Sequence, residues 1–196
     1  MTRIAGVVPD DSPEFRRLEA LCIETLGFMP NSVLAMLRLP GLAQALGGLN
    51  AALMGPGRVE QGFKRLVAHM ASRAAGCQYC MAHTAAGAQV HGVVAERLDA
   101  LWNFETSALF TPAERVALEL ALAGGQVPNG ADDALFERLR QHWSEEQILE
   151  LVGVVSLFGF LNRWNDTLAT PLEAHPSDVA RRHLAPHGWT PGKHQS

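Results

Sequence analysis

The stretch Ala74-Ala75-Gly76-Cys77-Gln78-Tyr79-Cys80-Met81-Ala82-His83-Thr84 holds two of the chain's three cysteines, with a histidine one turn further on. Gly76 reads as the end of one helix and the cysteines as the first turn of the next. A helix N-terminus gathers unpaired backbone N–H groups and a partial positive charge, which favour a thiolate over a thiol. Thiolate attack on a peroxide O–O bond gives a sulfenic acid, which a nearby thiol converts to a disulfide. A dithiol donor restores the pair by exchange. Cys80 and Cys77 are therefore candidate catalytic residues for thiol redox chemistry.

Two histidines are candidates beside them. His83 lies one helical turn after Cys80, so both can face one cavity and the imidazole can accept a thiol proton near neutral pH. An imidazole hydrogen-bonded in the interior is the plain alternative. His69 sits on the preceding helix in a polar row with Arg65, Ser72 and Arg73. Tyr79, the only tyrosine, is a lid or proton donor in one reading and a packing residue in the other. Zinc competes for the motif, because Cys77, Cys80 and His83 supply three of the four ligands a tetrahedral site needs. His69 or His91 would have to complete the set, and no second C-x-x-C exists. No metal and no cofactor are assigned. A c-type haem is excluded, since Met81 stands where its histidine must follow the second cysteine.

The elements that must position these residues are all helices. Ser12-Pro13 opens the first, with Leu18, Leu21, Cys22, Thr25 and Leu26 on one face and Gly27 at its end. Cys22 fits that face as a small apolar residue. Asn31-Ser32 caps a short helix to Leu37, and Pro40 starts another to about Met54. Gly55-Pro56-Gly57 is a break. From Val59 to Ala75 an apolar stripe of Val59, Phe63, Leu66, Val67, Met70 and Ala74 runs beside the polar row. The cysteine helix continues to about Val90, and a further one spans about 93–102. Capping boxes at Thr111–Glu114 and Ser144–Gln147 open helices to Ala123 and to about Leu168, with another from Asp132 to His142 between them. These signals divide the chain into a helical arm at 1–57 packing on the core, a core at 58–170 and a surface arm at 171–196.

The chain has 196 residues, 47% of them hydrophobic, and a net charge of −4 with no cluster of basic residues. It is long enough to bury a core, and neither a nucleic-acid surface nor a membrane anchor is indicated. The run from Ile148 to Leu161 is too short and too interrupted to span a bilayer and reads as a buried or subunit-facing helix. The N-terminus lacks the apolar segment of a secretory signal, and the odd cysteine count points to a reducing, cytoplasmic setting.

The residues from Lys64 to Thr84 resemble the carboxymuconolactone decarboxylase superfamily in its alkylhydroperoxidase D-like (AhpD-like) branch, and the later helices to Asp166 agree in pattern. The resemblance implies an all-α, AhpD-like helical bundle assembled as a homo-oligomer, a trimer or hexamer. It implies a peroxidase in which the second motif cysteine, Cys80, meets a hydroperoxide substrate and the first, Cys77, resolves it. A dithiol, thioredoxin-type or lipoyl-type electron donor would regenerate the pair. Two departures stand out. The peroxidase members carry a relay glutamate where this chain has Arg65, and their histidine commonly falls at the place of Thr84 rather than His83. His69, one turn from Arg65, is the substitute. Two other readings stay open. One is a decarboxylase-type enzyme on a small lactone acid held by Arg65, Arg73 or Arg163. The other is a non-catalytic helical module with a redox-sensing or zinc-bound C-x-x-C. The segment Asn162 to Asp166 is either a pocket wall or a helix end.

Overall fold

The computed structural model describes residues 2–39 and 41–195, among which ten α-helices and no strand occur. They are α1 (Pro13–Leu26), α2 (Asn31–Met36), α3 (Leu42–Met54), α4 (Gln61–Ala74) and α5 (Gln78–Val90). After them come α6 (Ala95–Asp99), α7 (Pro112–Gly125), α8 (Asp133–Arg140), α9 (Glu145–Leu168) and α10 (Ala174–His183). The expected start at Pro40 lies outside the described residues; α3 is preceded by Gly41 in the left-handed region. The helix expected over 93–102 is split, with α6 tightening into a 3-10 turn at Ala100–Asn103.

The starts obey their cap residues. The Ser12 side chain accepts the N–H of Phe15, and full capping boxes form at Thr111–Glu114 and Ser144–Gln147. Glu60, not singled out by the sequence pattern, caps α4 by accepting from Gly62 and Phe63 at 2.7 and 2.6 Å. A carboxylate there also complements the positive end of the helix.

One hydrophobic core runs through the molecule, and α4 is its axis, with α5, α7 and α9 packed round it. Every α4 residue from Gly62 to Ser72 is buried, so Arg65, His69 and Ser72 of the polar row lie as deep as the apolar stripe, while Arg73 is half-buried. Buried polar groups of α4 find partners inside: Ser72 Oγ of the polar row donates to Ala68 O at 2.8 Å, and Lys64 Nζ, outside that row, donates to Leu53 O and Gly55 O. The α5 face of Ala82, Ala85, Ala86 and Ala88 is buried and carries almost no side-chain bulk. Such small residues let two helix backbones approach closely. The same holds where α7 ends, since a Cβ on Gly125 would sit 2.7 Å from Ala71 O.

α9 buries Ile148, Leu151, Val154, Phe158, Asn162 and Asn165, while Leu149 and Phe160 on its outer side are exposed in the single chain. The segment from 171 lies on the core instead of forming the surface arm the sequence suggests. Val179, Ala180, Leu184, Trp189 and His194 are buried, and Trp189 Nε1 donates to Gln78 O at 3.1 Å. The reason is an apolar face on α10 and Trp189 that α5 receives. The start of the N-terminal arm is tied to the end of α9 by Arg3 N–H to Leu168 O, and within the arm Val7 N–H bonds Leu34 O, both at 2.9 Å. Cys22 is buried on α1, as a packing residue would be. Among the described residues no helix is long and apolar enough to cross a membrane.

Candidate functional site

Gly76 takes φ +72°, a conformation that side chains rarely tolerate, and it turns the chain out of α4 so that α5 begins at once. Cys77 becomes the N-cap of α5, and its Sγ accepts the backbone N–H of Cys80 at 3.3 Å. Both cysteines are free thiols and buried. Asn165 of α9 reaches the second sulfur, its Nδ2 lying 3.6 Å from Cys80 Sγ. Burial pushes the Cys80 thiol well up. The hydrogen bond and charge of Cys77 add to this, and Asn165 opposes it only in part. The pair is therefore held in a site where charge is costly unless a neighbour takes the proton.

The histidines the sequence singles out fall on different neighbours. His83 donates from Nε2 to Glu173 Oε2 at 2.6 Å and stacks on Tyr79 with ring centroids 4.1 Å apart. Tyr79 donates its hydroxyl to the other oxygen of Glu173 at 2.9 Å and accepts from the Ser32 N–H at 3.4 Å. Burial works to raise the Glu173 carboxyl. The charge of His83, with hydrogen bonds from His83 and Asn31, outweighs it and holds the group below its ordinary range. Burial and the Glu173 charge drive the Tyr79 hydroxyl well up, so it stays a donor. Among the described residues neither sulfur is hydrogen-bonded to a histidine.

His69 is fully interior, its Nδ1 3.2 Å from Met81 O and 3.1 Å from Thr84 Oγ1. It braces the turn that follows Cys80, because Thr84 Oγ1 also bonds Cys80 O at 2.8 Å. Burial lowers its pKa to about 4; the charge of Arg73 acts in the same direction, and the bond to Met81 acts against them. The unfolded chain therefore binds the His69 proton more readily than the folded one between about pH 6.5 and 4. Stability from this group is complete above pH 6.5 and is lost as pH falls through that window, to a total of about 3 kcal/mol. Urea denaturation at stepped pH should show this loss in the wild type and a flatter slope in His69→Gln. Equal slopes would contradict the burial argument.

The zinc set drawn from sequence is not assembled, because His83 turns to Glu173, His69 to the α5 backbone and His91 to Arg65. The three arginines of the lactone-acid reading do not converge either. Arg65 is buried, its guanidinium lowered to about 10 by burial, and its Nη2 is 3.3 Å from His91 Nε2 at the C-terminal end of α5. Arg73 lies over the Trp102 ring at 4.0 Å, and Arg163 bonds its own helix at Gly159 O. A groove of about 1130 Å³ between α7 and α9, lined by Leu120, Phe136, Val155 and Trp164 among others, includes neither cysteine.

The structure adds residues that sequence reading missed or left undecided. Glu173 and His194 come from the C-terminal segment, and Asn165 and Asp166 from the end of α9. No spacing rule links them to the cysteines, since Asn165 and Cys80 are separated by 85 positions. For Asn165 and Asp166 the one signal in the sequence is the change of character at Asn162–Asp166, directly after an apolar run.

A model described as "Carboxymuconolactone decarboxylase family" matches residues 40–123, which include both cysteines. The uncharacterized protein YnjA of Escherichia coli strain K12 is 30% identical over 97 residues, covering 50% of this chain and 53% of YnjA. The match thus spans about half the length of that relative. The debrominase Bmp8 superimposes with a TM-score of 0.85 at 32% identity, covering 92% of this chain and 97% of Bmp8. Its cysteine-to-alanine variant, solved with 2,3,4-tribromopyrrole, gives 0.86 at 31% identity, over 93% and 97% of the two chains. An alkylhydroperoxidase AhpD core, a peroxidase-related protein from Ralstonia eutropha JMP134, shares the fold with a TM-score of 0.76 at 21% identity. That superposition covers 90% of this chain and 96% of the other.

Proposed function

The chain belongs to the carboxymuconolactone decarboxylase family, and from that premise we propose an AhpD-like thiol oxidoreductase that reduces hydroperoxides with the Cys77–Cys80 pair. The observation that carries this reading is the pair itself: two reduced, buried sulfurs within one helical turn, joined by the Cys80 N–H. In the proposed cycle the Cys80 thiolate attacks the outer peroxide oxygen. The O–O bond breaks, the alkoxide leaves as the alcohol after taking a proton, and Cys80 becomes a sulfenic acid. Cys77 then attacks the Cys80 sulfur and expels water, leaving the disulfide. A dithiol donor of thioredoxin or lipoyl type returns both electrons, in the reducing setting of a cytoplasm. Glu173 supports this reading as well. The family's relay glutamate is replaced by Arg65, but the carboxylate of Glu173 faces His83 from the start of α10.

A second reading, reductive dehalogenation, is favoured by the 32% identity to the debrominase Bmp8 over nearly the whole of both chains. The same sulfur pair would serve it. A thiolate takes bromine from carbon, the carbon keeps the electron pair and gains a proton, and the second thiol displaces bromide to give the disulfide. The proposed assembly is a homo-oligomer, a trimer or hexamer, which would cover Leu149 and Phe160 on the outer side of α9.

The two substrate classes separate in one experiment. The purified protein is supplied with a dithiol donor and either an alkyl hydroperoxide or a bromopyrrole, and alcohol and bromide are measured. Catalytic alcohol release is expected. Bromide release without alcohol release would transfer the assignment to the second reading, and inertness towards both would overturn the oxidoreductase.

A further inference from the structure

We propose that His194, delivered by the C-terminal segment, is the proton acceptor for the Cys77 thiol. The inference rests on the dithiol reading above and deepens it. Cys77 Sγ, a carboxylate oxygen of Asp166 and a ring nitrogen of His194 all lie within 4.8 Å of one another. His194 Nδ1 is 2.8 Å from Thr170 O, and a carbonyl only accepts, so Nδ1 carries the hydrogen. The other nitrogen, Nε2, is left as a bare lone pair. It is wholly buried, has no hydrogen-bond partner, and lies 3.5 Å from Asp166 Oδ1. An unpartnered buried acceptor is costly, and the thiol of Cys77 is the proton source beside it. A small side-chain movement or one bridging water closes the remaining distance.

The surroundings fit that task. The charged and titratable groups around the imidazole are Asp166 from α9, Lys193 from its own turn, Cys77 from the start of α5, and Tyr79 with its ring centroid 5.9 Å away. Burial lowers the His194 imidazole, with the bond to Thr170 and the nearness of Asp166 opposing it, so the ring is neutral and ready to accept at neutral pH. Once it has accepted, the imidazolium lies against the new thiolate and the Asp166 carboxylate, and both stabilise it. Lys193 Nζ, 2.7 Å from Asp166 Oδ2, holds that carboxylate in place. The backbone bond from Leu172 N–H to His194 O, at 2.9 Å, fixes the turn that presents the ring. The electron pair left on Cys77 is the one that attacks the oxidised Cys80 sulfur, so His194 acts at the disulfide-forming step.

The test needs a readout besides turnover. His194→Asn keeps a side-chain N–H for Thr170 O and removes the acceptor. In a Cys22→Ala, Cys80→Ser background the alkylation rate of Cys77 is measured against pH, with and without His194→Asn. The acceptor role predicts a fall of about 10²-fold or more at pH 7 that vanishes at alkaline pH, where solvent takes the proton. In the otherwise native chain, one equivalent of oxidant should leave His194→Asn with a Cys80 sulfenic acid trapped by a cyclic dione and little disulfide. Unchanged alkylation and disulfide rates would overturn the inference, and so would stoichiometric zinc in the purified protein that His194→Asn releases. Failure of the wild type itself to form the disulfide would instead refute the parent reading, while the alkylation profile still tests His194.

Discussion

Cys80→Ser and Cys77→Ser should each abolish dithiol-driven turnover, but they should stop at different points. In Cys80→Ser the first sulfur is gone, so no oxidised intermediate forms and substrate is spared. In Cys77→Ser a single equivalent is consumed and the enzyme halts with Cys80 oxidised, because no resolving thiol lies within a turn of it. The expected loss of kcat/KM is at least about a thousandfold for each, equivalent to about 4 kcal/mol of transition-state stabilisation. Serine replaces sulfur by a smaller atom with the same connectivity, so the packing of α5 against α4 should survive. A dione adduct on Cys77→Ser, and none on Cys80→Ser, is the signature that assigns the roles. The reverse pattern would make Cys77 the residue that meets substrate.

The largest effect on stability should come from Lys64, whose side chain is wholly buried. Its ammonium forms an ion pair with Glu150 of α9 and donates to Leu53 O and Gly55 O at 2.9 and 2.8 Å. Those two carbonyls lie at the C-terminal end of α3, where a cation also complements the helix dipole. One side chain thus ties α3, α4 and α9 together. Lys64→Met leaves a mostly buried carboxylate whose remaining partner is the Arg58 N–H, and it strips both carbonyls of their donor. Breaking such a pair by removing one partner costs about 3–5 kcal/mol, a large part of a domain's stability. The double change Lys64→Met, Glu150→Leu should recover part of that loss, because the uncompensated charge goes with it. Urea denaturation of the three variants measures this. A loss under about 1 kcal/mol for Lys64→Met would show that the pair is not buried as described.

Local signals are where sequence and structure agree. Cap residues at Ser12, Thr111 and Ser144, the glycine at 76 and the helical period of α4 are all dictated by contacts within a few residues. The C-x-x-C and its place at a helix start belong to the same class. The polar row of α4 shows the limit of such reading. Its spacing was plain, but its depth depends on α5, α7 and α9 closing over it, and hydrogen bonds inside the core make that burial tolerable for Ser72 and His69. The surroundings of the sulfurs were less legible still. His83 pairs with Glu173, ninety positions away, and the imidazole beside Cys77 comes from the end of the chain. These contacts depend on how α9 and α10 return across α5, which no hydrophobic period encodes. The tail read as a surface arm because its prolines and histidines dilute the apolar face that docks Val179 and Leu184.

The claim on which everything else rests is that Cys77 and Cys80 together supply two electrons to the substrate. Mass spectrometry after one equivalent of hydroperoxide, quenched with an alkylating agent, tests it directly. The account predicts a loss of two hydrogens in the peptide that carries both Cys77 and Cys80, one such bond for each substrate molecule reduced, with Cys22 still alkylated. Substrate consumed while Cys77 and Cys80 both remain freely alkylated would contradict it.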